Sequence, residues 1–252
     1  MRFRNSKQSG LSFIELIVVV AIMGIISTIV LFRQARFSSD ILITDMAYQI
    51  ALAIRQAEVY GISSKQADTG SALTAFKAGY GVLFSPLLSQ GTLSENGASA
   101  FALYIDTPLY SSLTPGTNAE FNYVYNPGVD VLLDPYPVRL TQGQKIREYC
   151  GRLTSTGAWQ CWSYADPILL STNKVLTITF VKPNPEAHIR MGTSEGSDGY
   201  TYSNDSYDKA KIVVESSLGD KCRSISVSFS GEISVDPVIQ DDPSNGCDPV
   251  LQ

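Results

Sequence analysis

The chain has 252 residues, a formal net charge of −5, 44% hydrophobic residues and 17% charged ones. That length is enough for one globular domain with its own core. The acidic balance argues against phosphate-backbone binding as its main task. The abundance of Tyr, Gly, Ser, Thr and Val favours strands over helices.

The first 36 residues set the organisation. A basic head (Arg2, Arg4, Lys7) stops at Gly10, and the apolar run that follows is broken only by Ser12, Glu15, Ser27 and Thr28. Leu16 to Phe32 carries no charge, and Arg33 and Arg36 close the run. As a helix, those seventeen residues would extend roughly 26 Å, at the short end of a bilayer span. The basic side should stay cytoplasmic and the bulk of the chain should face outward. A secretory signal peptide would have a shorter apolar region and a small-residue cleavage site; here the run ends in Phe32-Arg33-Gln34-Ala35-Arg36. A plain signal anchor would not explain Glu15, because a carboxylate inside an apolar span is costly and usually has a partner and a function.

The segment Ser9-Gly10-Leu11-Ser12-Phe13-Ile14-Glu15 resembles the processing site of the type IV pilin and pseudopilin superfamily. In that family a prepilin peptidase cuts after the glycine on the cytoplasmic side and methylates the new N-terminus, and the apolar helix is retained. The resemblance implies a scissile bond at Gly10–Leu11, a methylated amine on Leu11 where the family most often has Phe, and an assembly role for Glu15. In a filament, that acid would meet the N-terminal amine of the next subunit. Relatives often have a helix-breaking Pro where Phe32 stands. Loss of the leader would move the formal charge from −5 to −8.

Beyond Arg33, Ile43, Ala47, Ile50, Ile54 and Ala57 recur at spacings of three and four, which predicts an amphipathic helix to about Tyr60 with Gly61 as its stop. Residues 63–79 read as a loop. Short apolar or alternating runs then follow: 80–84, 100–106, 123–125, 129–133, 138–140, 175–181, 211–215, 224–229 and 233–235. Pro and Gly punctuate them as in turns between strands, and Ser230-Gly231-Glu232 predicts a tight hairpin. The fold class expected is α+β, one long N-terminal helix packed on a C-terminal antiparallel β domain. The divisions are residues 1–10 as leader, 11–32 as transmembrane or filament-core helix, 33–61 as amphipathic helix, and 62–252 as extracytoplasmic head. The helix end near Ile54-Arg55-Gln56-Ala57, the runs at 80–84 and 102–106 and the terminal 226–235 pair are similar to those of H-type minor pseudopilins and FimT-like minor pilins. FimT-like relatives that bind DNA use a basic C-terminal region; the tail here is acidic, and nucleic-acid binding is not expected.

Outside the cytoplasm disulfides are permitted, and the four cysteines allow three pairings. The local one, Cys150–Cys161 with Cys222–Cys247, is the expectation. With a single histidine, His188, at an expected strand edge and no CxxC, a zinc site is not expected. Two acidic loops could offer oxygens to calcium: 195–199 with Asn204, Asp205 and Asp208, and Asp236, Asp241, Asp242 and Asp248 around Cys247. Solvated turns are the simpler reading of both, so no cofactor is expected. The basic pairs Lys209/Lys211 and Lys221/Arg223 read as solvated strand ends. No catalytic constellation is present in the sequence pattern, and the chain is not expected to be an enzyme. Trp159 and Trp162 should pack over a disulfide.

The leading reading is a structural filament subunit, of the minor kind. It waits in the cytoplasmic membrane as a single-pass protein with its N-terminus inside, then joins other pilins or pseudopilins. The resemblance implies a cytoplasmic assembly ATPase and a membrane platform protein as indirect partners. The alternatives are a signal-anchored extracytoplasmic binding or enzymatic domain that never polymerises, and a pilus-tip adhesin or DNA receptor.

Overall fold

The fold is taken from a computed structural model, which describes residues 12–63, 78–85, 100–107, 123–133, 138–139, 143–163, 173–194, 200–217, 219, 221–237 and 239–240. The chain divides into two units, residues 1–39 and 40–252. One helix, α1 (Phe13–Ile62), contributes to both.

Within the second unit, α1 presents the predicted apolar stripe. Ile43, Ala47, Ile50, Ile54 and Ala57 are fully buried, and Met46 and Ala53 join them. Each larger side chain sequestered this way contributes about 1.5–3 kcal/mol. The helix runs one residue past Gly61, the predicted stop. Glycine is needed there for another reason: a Cβ would fall 2.5 Å from the Phe180 carbonyl oxygen, so only glycine lets the helix approach that strand so closely.

The strands among the described residues are β1 (Gly79–Phe84), β2 (Ala100–Asp106), β3 (Val131–Leu132), β4 (Val138–Arg139), β5 (Lys145–Leu153), β6 (Trp159–Ser163), β7 (Asn173–Val181), β8 (Asn184–Ser194), β9 (Tyr200–Tyr202), β10 (Tyr207–Glu215), β11 (Lys221–Ser228), β12 (Ile233–Val235) and β13 (Ile239–Gln240). All their pairings are antiparallel. The main path runs β12-β11-β10-β8-β7-β1-β2-β3. The β8–β10 link is a single register pair, Tyr207 opposite Ile189; beyond it β10 pairs with β5, which carries β6 as a hairpin. The β11–β12 hairpin turns where predicted, with Gly231 at φ 85° and Ser228 N–H donating to the Glu232 carbonyl.

Period-2 alternation sorts the central strands into two faces. Tyr80, Val82 and Phe84, Phe101, Leu103 and Ile105, and Leu176, Ile178 and Phe180 join the helix stripe in the main core. On the opposite face lie Leu83, Tyr104 and Val175, covered by Tyr125 and Leu132 from the segment 123–133. The run 123–125, expected as a strand, is not one. It crosses over the sheet, with its Tyr123 carbonyl accepting hydrogen bonds from the Thr179 hydroxyl at 3.0 Å and the Thr177 hydroxyl at 3.4 Å. The Tyr104 ring lies across Gly81, where a Cβ would meet it at 2.6 Å.

Lys221 and Arg223 do not end in solvent as expected. Lys221 pairs with Asp40, and Arg223 donates to the Thr44 hydroxyl at 2.9 Å while lying over the Tyr48 ring. They tie β11 to the helix.

Candidate functional site

Ser12 precedes the first helical residue, and its carbonyl accepts the Leu16 N–H at 3.2 Å, which makes it the N-cap of α1. Glu15 falls three positions later, in the first turn. Ser-x-x-Glu is the pattern of a capping box, and an acid in the first turn faces the positive end of the helix dipole. The sequence reading gave Glu15 a role between subunits and passed over this local one, which Ser12 signals.

From Phe13 to Leu31 the helix is apolar and long enough to cross a membrane, nineteen residues with none of it buried in the chain. Phe13, Ile17, Val20, Met23, Ile26 and Val30 are all about half or more exposed, on every side of the helix. The Thr28 hydroxyl donates to the Gly24 carbonyl at 2.8 Å, so that polar group is satisfied within the helix itself. A helix apolar all round is stable only in lipid or among other apolar helices. Gly10 and Leu11, the expected processing pair, lie outside the described residues.

In the head, Cys150 and Cys161 face each other across β5 and β6 and form a disulfide. Trp162 is fully buried, with its ring stacked on Tyr149 at 4.8 Å, while Trp159 stays half-exposed. Cys222 is disulfide-bonded as well, and Cys247 lies outside the described residues. Of the acidic residues considered for calcium, Asp241, Asp242, Asp248 and the segment 195–199 lie outside the described residues. Asp236 accepts from the Ser224 hydroxyl, Asp205 from the Ser203 hydroxyl at 2.6 Å, and Asp208 is held by a two-point ion pair with Arg152 that lowers its pKa. Among the described residues no group of three or more His, Cys, Asp or Glu side chains gathers as a metal site.

His188 is not at a sheet edge. It lies in β8 opposite Thr179, with its ring stacked on Tyr123 at 3.8 Å. Burial, then Arg190, lowers its pKa. An open groove of about 390 Å³ runs beside it, lined by Glu186, His188, Arg190, Tyr207, Asp208 and Phe229. Two of its charged groups are engaged within the head: Arg190 donates to the Asp205 carbonyl at 3.1 Å and Asp208 holds Arg152.

Residues 5–31 match the family described as the prokaryotic N-terminal methylation motif. The match coincides with the basic head, the Gly10 junction, Glu15 and the exposed helix. No curated protein and no solved structure matches the chain.

Proposed function

From the premise that this chain carries the class III signal peptide of type IV pilin- and pseudopilin-like proteins, we propose that it is a minor structural subunit of a type IV pilus or of a type II secretion pseudopilus. The motif implies processing by a prepilin peptidase and assembly with other pilins. In this reading the leader is removed after Gly10 and Leu11 becomes the methylated terminus. The chain waits in the cytoplasmic membrane with its N-terminus inside. A cytoplasmic ATPase and a platform protein then drive its transfer into the filament. The role is structural rather than catalytic.

The observation that carries the proposal is the coincidence of the methylation motif with an apolar helix that is left unburied among the described residues. Such a helix leaves lipid only if another apolar surface receives it, and the corresponding helices of neighbouring subunits supply one. Glu15 makes the same point from the charge side, because its cost in an apolar medium falls when a cationic terminus faces it. Mass spectrometry of the N-terminus isolated from the native host tests the reading. N-methylated Leu11 is the expected result; a chain still starting at Met1 would leave a signal-anchored domain that does not polymerise.

A further inference from the structure

The end of β2 holds a carboxylate that nothing else among the described residues explains. Asp106 is fully buried, and neither of its oxygens has a hydrogen-bond partner among the described residues. The backbone of Tyr123 is its neighbour, and Tyr123 is held at φ 60°, in the left-handed region. Asp130, also buried, is the charged neighbour of Asp106, and among the described residues no basic side chain offsets the two. Burial, then Asp130, raises the Asp106 pKa to about 8.

Burial raises the Asp130 pKa, and the hydrogen bonds it accepts from Thr107 and Asn126 work against that rise. Its Oδ1 lies 2.8 Å from the Thr107 N–H and 2.7 Å from the Thr107 hydroxyl, and its Oδ2 accepts the Asn126 N–H at 2.7 Å. The Thr107 hydroxyl is also 2.9 Å from the Val129 carbonyl, so one proton serves two acceptors at an oxygen-rich point.

Two things could relieve Asp106. A proton removes the charge but creates a buried O–H donor with no acceptor, which is itself costly. A cation removes the charge and supplies the missing partner together. We propose that Asp106 and Asp130 hold a hard divalent cation of the calcium class, its coordination completed by water, at the point where β2 ends against the segment 123–130. Oxygen ligands with two carboxylates suit calcium, and a set this small gives the weak affinity of extracellular modules, about 0.1–1 mM. Hydrogen bonds that orient a ligating carboxylate, like those on Asp130, are the usual support of such sites. This site is separate from the acidic tail and does not depend on whether the chain polymerises.

The test uses the full chain in detergent micelles, melted at pH 7.5 and constant ionic strength in calcium chloride, magnesium chloride or EDTA, with terbium luminescence sensitised by tyrosine as a second readout. Several millimolar calcium should raise the wild-type melting temperature by about 3–6 °C, and magnesium by less. Asp106→Asn should abolish both the calcium increment and the terbium signal while melting in EDTA no lower than wild type, since it removes a buried charge. Asp130→Asn should abolish the increment whatever its own stability. Equal melting of wild type in calcium and EDTA overturns the proposal and leaves Asp106 to a proton. A full calcium increment surviving in Asp106→Asn also overturns it, and places the cation elsewhere on the chain.

Discussion

Glu15 lies in the first turn of α1 three residues after Ser12, where local helix chemistry and assembly chemistry ask for the same side chain. The two roles separate by substitution. Gln keeps the Ser-x-x-Glu/Gln pattern and loses the charge, whereas Ala loses both. If pairing with a neighbouring terminus governs assembly, Glu15→Gln and Glu15→Ala should both be cleaved normally and both enter filaments poorly, as judged by immunoblot of sheared filaments. If capping governs it, Gln should assemble like wild type. Asp106 makes a second prediction at this scale. Its folded-state pKa of about 8 stands above the ordinary 3.8, so the folded state binds the proton more tightly than the unfolded chain. The resulting stabilisation is complete below about pH 4 and is lost as pH rises toward 8. In EDTA the wild-type melting temperature should therefore fall between pH 5 and pH 8.5, and Asp106→Asn should flatten that slope. A shift of this size corresponds to about 6 kcal/mol between protonation states, an upper bound on the effect.

At the scale of elements, the β5–β6 hairpin is held by a disulfide between directly opposed residues, eleven apart in sequence. Closing a loop of that length stabilises by about 2–3 kcal/mol. The double variant Cys150→Ser/Cys161→Ser should melt about 5–10 °C lower while leaving the Cys222 bond in place, measurable by circular dichroism without reductant. The same hairpin shows which elements could be read locally. Strands β1 and β2 are buried on both faces and appear in sequence as apolar runs, so they were expected within a residue of where they lie. In contrast, Lys145–Leu153 and Asn184–Ser194 carry charges, the second also a proline, and no strand was expected there. They are strands because β10, distant in sequence, and β7, one tight turn away, pair with them, and a strand held by its partners needs little local signature. Tyr123–Tyr125 erred in the opposite direction. Its alternating aromatics resemble a strand, yet their apolar partners are Tyr104 and the sheet beneath, so the segment serves as a cover. Without that cover Asp106 would be a strand-end acid in water, which is why its burial could not be read from its neighbours in sequence.

At the scale of the whole molecule, one unit contains an apolar helical run exposed from Phe13 to Leu31 and the other carries its own buried core, including the helix stripe from Ile43 to Ala57. The stripe could be read from spacing alone, and so could the membrane-length run; the processing junction rested on the motif. Detergent demand should follow the first unit. A chain starting at Arg33 should stay dispersed without detergent and melt within a few degrees of the full protein, checked by analytical ultracentrifugation and calorimetry. Aggregation of that shortened chain would mean that the exposed run also sustains the head.

Thr107 and Tyr123, the two residues bounding the stretch 108–122, are each fixed to the sheet or its cover, Thr107 through Asp130 and Tyr123 through Thr177 and Thr179. A disturbance that shifts the sheet against its cover therefore reaches Asp106 by two routes, since Thr107 follows it in the chain and the Tyr123 backbone is its neighbour in space.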